Sequence, residues 1–394
     1  MPEGTESAQN QAYAEAGVFL DGERVASGIM GGFAEGTHQY PVGEMADSVQ
    51  KLSYGGVGMM LEMMGADPKY RLVSSMDGAG NKPRIAALVG KFDTLGHDLV
   101  AMNNDDLAII GAIPWFMLDM LTIQSADFEY HKYFEQYGEG LQKAAWLGRV
   151  AIVGGENAQH SHLDKGDGRF YSELAGATVG ILNTEKELTG EEIQPGHVLV
   201  GIRQKRGIRC NGNSRIIKTY ERLHGEKWYE QPFEDMTLGE AALEPSTIYS
   251  PFLNDGIGGL DGEFQMPIVG AANITGNGIS LKLGKLLAIN RLGAYITEPG
   301  EPSSITKHCQ ENTVVGEEER PMTDEEFYTT FNGGPGMIVV AKESAPVIEL
   351  AKEHGHEAYE MGPVTDQDRQ IYIKSRGTNT PGKRLHFDMR DKIK

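Results

Sequence analysis

Residues 71–121 read RLVSSMDGAGNKPRIAALVGKFDTLGHDLVAMNNDDLAIIGAIPWFMLDML, a stretch that sets carboxylates into some of the most apolar sequence of the chain. Buried or half-buried carboxylates repel one another and lose hydration. Asp77, Asp93, Asp98, Asp105 and Asp106 are therefore costly neighbours unless a cation sits among them. A magnesium–nucleotide complex supplies one, because Mg²⁺ takes a few carboxylates and completes its shell with water and phosphate oxygens.

Spacing supports this reading. As a helix, HDLVAMNNDDLAII (97–110) places Asp98 and Asp105 two turns apart on one face, with Met102 between them and Asp106 turned about 100° away. RLVSSM reads as a short buried strand, and DGAGNK as a Gly-containing turn that lets backbone amides approach an anion. Asp77 then meets a metal and Lys82 a phosphate. The same residues also suit a strand-to-turn Asp followed by a solvated helix face, and spacing leaves both readings open. DGAGNK is not the Walker pattern GxxxxGK[ST], and no GxGxxG follows an expected strand, so neither common nucleotide fold is signalled.

Outward from this stretch, short β-like runs alternate with amphipathic ones. RIAALVG, EYHKYFEQYGEGLQKAAWLGR and VIELAKEHGHEAYEM read as helices, while VAIVGG, AGATVGIL, HVLVGIR, MPIVGAAN and GMIVVAKE read as strands. The fold class is α/β (α+β). A charged segment ending in a Pro-Gly turn, NTEKELTGEEIQPG (183–196), separates two halves, so the expected domains are 1–182 and 183–394. Residues 224–246 and 296–326 read as surface loops or insertions, and 374–394 as a weakly ordered basic tail.

The chain of 394 residues is 40% hydrophobic and 23% charged, enough to bury two cores. Its net charge of −20 argues against nucleic acid or an anionic membrane as partner, since both require basic surface. An anionic substrate needs local positives such as Lys82, Arg84, Arg203, Lys205, Arg206 and Arg209. Two cysteines, Cys210 and Cys309, build no disulfide framework and show no metal-ligand spacing. With no apolar run approaching the ~18 residues of a membrane span and no apolar leader, the expected compartment is the cytoplasm.

Several motifs together resemble one family. DGAGNKPRIA (77–86) is similar to the DGVGTKLRLA-type segment of phosphoribosylformylglycinamidine cyclo-ligase, also called aminoimidazole ribonucleotide synthetase. YAEAGV (13–18) resembles its YxxAGV opening, GGVGMM (55–60) its glycine loop, residues 92–114 its second acidic motif, VGGENA (153–158) its VGGETA, and ELAGATVGIL (173–182) the strand closing its first domain. In the second half GIRCNGNSRIIK (207–218) resembles GxHSNGxSLxRK, EPSTIY (244–249) APTRIY, NITGNG (273–278) HITGGG, and TTFNGGPGMIVV (329–340) RTFNxGxGM. Each string is weak alone; their shared order makes the signal specific.

The resemblance implies an N-terminal domain whose mixed sheet forms a barrel with that of a partner subunit in a homodimer, and a C-terminal mixed sheet packed with helices. It implies an ATP-dependent ring closure of formylglycinamidine ribonucleotide to aminoimidazole ribonucleotide, in purine biosynthesis, through phosphorylation of the formyl oxygen. ATP and Mg²⁺ are the expected cofactors. Asp77, Asp98, Asp105 and Asp106 would hold the metal. Gly55, Gly56, Gly58, Asp77, Lys82 and Glu156 would surround ATP, and Asp98, Arg209, Asn211, Asn273 and Thr275 would form the catalytic side.

Departures from the pattern fall on the substrate side. Arg209 and Cys210 stand where GxHSNG has His and Ser, Asn273 where HITGGG begins with His, Asp105 where the acidic motif has Asn, and Asn81 where DGVGTK has Thr. Arg209 can replace a histidine's hydrogen bond but not its proton shuttling near neutrality. The rival readings are another ATP-dependent small-molecule kinase of the same superfamily and a catalytically silent nucleotide-binding relative. His160 and His162 read as an exposed loop rather than a metal site. Met59, Met60, Met63 and Met64 read as a packed helix face.

Overall fold

Two glycines set the course of the acidic helix. The helix Leu95–Ala108 meets the helix His131–Gly148 backbone to backbone. A Cβ on Gly96 would lie 2.5 Å from the Leu141 amide nitrogen, and one on Gly140 would lie 2.0 Å from the Asp93 carbonyl oxygen. No side chain fits there, so the LG and EG steps allow this packing.

The computed structural model describes residues 20–40, 69–205, 207–276, 278–315 and 320–390. The YAEAGV opening, the glycine loop with Gly55, Gly56 and Gly58, the methionines 59–64, and Arg206 lie outside them. Two compact units emerge: Met1–Asn104 with Pro114–Ile181, and Asp105–Ile113 with Leu182–Lys394. Against the expected division near residue 182, the second unit also takes in the short segment beginning at Asp105.

The first unit holds β1 (Tyr70–Gly78), β2 (Ala112–Ile123), β3 (Ala151–Gln159) and β4 (Ser172–Asn183), in sheet order β1-β4-β2-β3. β2 and β3 run parallel, with Leu118 opposite Gly154 and Asp119 opposite Gly155. Phe92, Leu99, Val100, Phe134, Tyr137 and Phe170 make its core. RLVSSM is indeed a strand, but not a buried one. It lies at the sheet edge, with Leu72 and Met76 exposed.

The second unit is built on β5 (Val198–Arg203), β8 (Ile268–Asn273), β9 (Gly293–Ile296), β12 (Pro335–Ala341), β13 (Ala358–Thr365), β14 (Gln370–Lys374) and β15 (Arg384–Asp388). The short pairs β6 (Pro232–Phe233) with β7 (Met236–Thr237) and β10 (Val314–Val315) with β11 (Arg320–Pro321) stand apart. The seven-stranded sheet runs β15-β14-β9-β13-β5-β12-β8, with β14 parallel to β9 and β12 antiparallel to both neighbours. All of β12 is buried, as its unbroken apolar run PGMIVVA suggests for a strand covered on both faces. The helices Gly278–Ala288 and Ala345–Glu353 pack against this sheet. Buried Lys186 ties the loop 257–262 by donating to the carbonyls of Ile257 (2.8 Å), Gly259 (2.9 Å) and Gly262.

Four local expectations change. VIELAKEHGHEAYEM is a helix only to Glu353, because Gly355 adopts φ +70° and the following residues form β13. Residues 224–246 are not a surface loop: Trp228 and Leu243 are buried, and Thr237 caps the helix Leu238–Leu243 through a capping box. Within 296–326 the helix Ser304–Asn312 buries Ile305 and Cys309. The basic tail contains β15, whose alternation RLHFD buries Leu385 and Phe387 against β14. Among the described residues no helix is long and apolar enough to cross a membrane.

Candidate functional site

In the first unit, β1 delivers Asp77 at its end, and Asn103 holds the backbone there. Asn103 Oδ1 accepts from the Asp77 amide at 2.9 Å, while its Nδ2 donates to the Asp77 carbonyl at 3.3 Å and to the Leu99 carbonyl at 2.9 Å. The Asp77 carboxylate caps its own turn, accepting from the Gly78 amide at 2.7 Å. Directly after this turn begins the helix Lys82–Val89, with Pro83 in its first turn. Lys82 does not project outward. Its Nζ lies 2.7 Å from Asp98 Oδ1, and both side chains are fully buried.

In the second unit, Asp105 and Arg209 form another wholly buried ion pair, Nη2 to Oδ2 at 3.0 Å. Asp105 Oδ1 accepts from the backbone amides of Tyr249 and Ser250, each at 2.8 Å. Burial pushes the Asp105 carboxyl up to about 6, while Arg209 and the two amides oppose that rise, so it is an anion at neutral pH. Arg209 also donates to the Thr247 carbonyl at 3.1 Å and to Asn273 Oδ1 at 3.0 Å, and its guanidinium lies 5.1 Å from the centre of the Tyr249 ring. Asn273 Nδ2 in turn donates to Asp106 Oδ1 at 2.8 Å.

The glycine-rich strings of this half meet one another. Asn211 Nδ2 donates to the Thr330 carbonyl at 3.0 Å, and Gly212, at φ +86°, sits where a Cβ would strike the Phe331 ring at 2.5 Å. The Ile274 amide donates to the Gly336 carbonyl at 2.9 Å, and the Tyr249 hydroxyl to the Arg203 carbonyl at 2.9 Å. GIRCNG, EPSTIY, NITGNG and TFNGGPG thus form one loop cluster. Asn211 Oδ1 is buried and has no hydrogen-bond partner among the described residues. Thr275 is half-buried beside the cluster.

These positions differ from the expected carboxylate face. Asp98 and Asp105 each have a cation of their own from the chain, and Asp93 pairs with Lys91 in a half-exposed contact at 2.7 Å. Asp106 keeps one oxygen outside any hydrogen bond among the described residues. Glu156 is exposed on β3. His160 and His162 lie in an exposed turn, and among the described residues no three His, Cys, Asp or Glu side chains gather as a metal cage. Sequence reasoning missed Asn103, whose only signal was its place in MNNDD, and the amides of Tyr249 and Ser250, which no side-chain pattern advertises. It also passed over Asp119.

A family model described as AIR synthase related protein, N-terminal domain, matches residues 56–182, and the corresponding C-terminal domain matches 194–374. A phosphoribosylformylglycinamidine cyclo-ligase of Thermococcus kodakarensis is 31% identical, with 90% of this chain and 96% of that one covered. One from Methanosarcina acetivorans is 35% identical, covering 77% and 86%. Among solved structures, a hydrogenase maturation protein HypE in complex with ATP has a TM-score of 0.55 at 15% identity, covering 84% of this chain and 86% of that one. That identity makes the last likeness one of fold.

Asp119 lies on β2 against Gly155, where a Cβ would approach its Oδ1 to 2.3 Å. Burial raises its carboxyl to about 6, opposed only by its own backbone amide. The folded protein therefore holds this proton more tightly than the unfolded chain, so the stabilisation is complete below the ordinary carboxyl value and is lost as pH climbs through about 6. Asp119→Asn, neutral throughout, should raise the unfolding free energy by roughly 1–2 kcal/mol at about pH 8 and by almost nothing at about pH 4. Urea denaturation at both pH values checks this; an equal gain at both would contradict it.

Proposed function

The chain belongs to the AIR synthase family, and on that premise we propose that it closes the imidazole ring of aminoimidazole ribonucleotide at the expense of ATP. The observation that carries the reading is the joining of the GIRCNG, EPSTIY, NITGNG and TFNGGPG strings into one cluster beside Asp106. An amide-type oxygen is a poor leaving group. Transfer of the γ-phosphoryl group of ATP to the formyl oxygen of formylglycinamidine ribonucleotide converts it to a phosphate. A ring-forming nitrogen then attacks that carbon, and inorganic phosphate departs with the oxygen as the nitrogen loses its proton. Such transfers depend on positioning and charge neutralisation rather than on a covalent enzyme intermediate.

Magnesium fits the donor set, because hard carboxylate oxygens suit it and it draws its other ligands from water and phosphates. Asp106 is the side chain we assign to it, since its neighbour Asp105 is neutralised by Arg209 while one Asp106 oxygen stays open. When bound, it would offset charge on the transferred phosphoryl group. The backbone of Gly55, Gly56 and Gly58 would cover the nucleotide, and Glu156 would contact its ribose side. Asn211 Oδ1 offers an acceptor to a substrate N–H, and half-buried Thr275 a hydroxyl. Arg209 and Asn273, both buried, hold Asp106 in place rather than touch substrate, and Lys82 and Asp98 are buried against each other.

We also propose a homodimer in the cytoplasm. The sheet of the first unit leaves Leu72, Met76, Leu118 and Met120 exposed at 45%, 75%, 45% and 42%, more apolar surface than a lone sheet keeps in water. Pairing with the same sheet of a second copy, as a barrel, covers it. Cys309 is a buried thiol outside any disulfide among the described residues, as a reducing compartment allows.

The purified protein should release phosphate from ATP only when formylglycinamidine ribonucleotide is present, with a diazotisable aminoimidazole formed in equal amount. Phosphate release with another acceptor would point to a kinase, and ATP binding without product to a silent relative. Light scattering should give twice the chain mass, and Met76→Glu with Leu118→Glu should return it to one; an unchanged dimer would place the interface elsewhere.

A further inference from the structure

We propose that Arg209 is a positioning residue for magnesium–ATP, acting through Asn273 on Asp106; this rests on the assignment of Asp106 to the metal. A guanidinium has donors and no acceptor. The contact of Arg209 Nη2 with Asn273 Oδ1 at 3.0 Å therefore decides which way the amide of Asn273 faces. Its oxygen must point to Arg209 and its nitrogen away, and that nitrogen donates to Asp106 Oδ1 at 2.8 Å. Asp106 receives no other hydrogen bond among the described residues, so one oxygen is held and Oδ2 is left for a cation.

The far end of the relay is fixed as firmly. Arg209 is clamped by Asp105 Oδ2, the Thr247 carbonyl and the Tyr249 ring, and Asp105 by two backbone amides. Arg209 is wholly buried and Asn273 is 2% exposed, so water cannot replace either partner. A planar fork can serve Asp105 and Asn273 from one nitrogen while a second nitrogen reaches Thr247. A lysine ammonium in the same place is a single point charge on a shorter reach. Arginine also keeps its charge across the whole working pH range, so the Asn273 amide has no pH at which it is released to turn.

The test is Mg²⁺ titration of the full chain at fixed ATP by calorimetry, with ATP binding in EDTA and thermal unfolding followed separately. Asn273→Ala should raise half-saturating Mg²⁺ about tenfold, the size seen when a partner of a metal ligand is lost, with ATP binding in EDTA unchanged. Arg209→Lys keeps a cation opposite Asp105 and should shift Mg²⁺ in the same direction. The two substitutions combined should shift it no further than Asn273→Ala alone. Asp106→Ala should remove the Mg²⁺ dependence. If Asp106→Ala removes it while Asn273→Ala and Arg209→Lys titrate like the parent, the relay is overturned and the metal assignment stands. If Asp106→Ala titrates like the parent, the metal assignment falls and the relay with it.

Discussion

A fully buried ion pair, Asp105 with Arg209, holds the second unit's loop cluster together. Taking two charges out of water costs several kcal/mol per ion, and mutual attraction offsets this only where every remaining lone pair and proton finds a partner. Here most do: two backbone amides on Asp105, a carbonyl, an amide oxygen and an aromatic face on Arg209. These partners come from residues 247–250 and from Asn273. One pair thus ties the end of the acidic helix to the loop after β5, the turn at Tyr249 and the end of β8. It also gives a physical reason why Asp105–Ile113 groups with the second unit although its chain neighbours on both sides belong to the first.

The crowd of carboxylates called for cations, and the protein supplies two from its own chain. Lys82 neutralises Asp98 and Arg209 neutralises Asp105. Asp106, half-buried beside Asn273, keeps one carboxylate oxygen outside any hydrogen bond among the described residues. Arg209 and Asn273, which stand where the family's motifs carry histidines, are joined to each other and to two aspartates. Their identities make sense as a set: an arginine needs the carboxylate of Asp105 where the motif has an asparagine, and its fork then orients the Asn273 amide.

Much of the architecture was legible because it follows from period and punctuation. Short β-like runs marked the strands β3, β4, β5, β8 and β12, and ordered glycine strings marked the loop cluster. What escaped reading has common causes. Gly355 stops a helix whose apolar spacing continues, and Trp228 and Leu385 are buried by tertiary packing within segments whose composition is polar. The ion pairs were illegible because carboxylate spacing on a helix says which side chains share a face, not which distant cation reaches them. Lys82 precedes Asp98 by only 16 positions, but Arg209 lies 104 positions from Asp105. Asp119 was hidden in an apolar strand, where only the fold reveals its neighbour Gly155.

The most direct measurement is a double-mutant cycle on unfolding free energy with Asp105→Asn, Arg209→Gln and both together. Each single change should cost about 3 kcal/mol or more, since it leaves a buried charge without its partner. The double variant should be far less damaged than the sum, giving a coupling of roughly 2 kcal/mol or more. Additive costs, agreeing within about 0.5 kcal/mol, would mean that the pair does not act as a unit and that the loop cluster is held by other contacts.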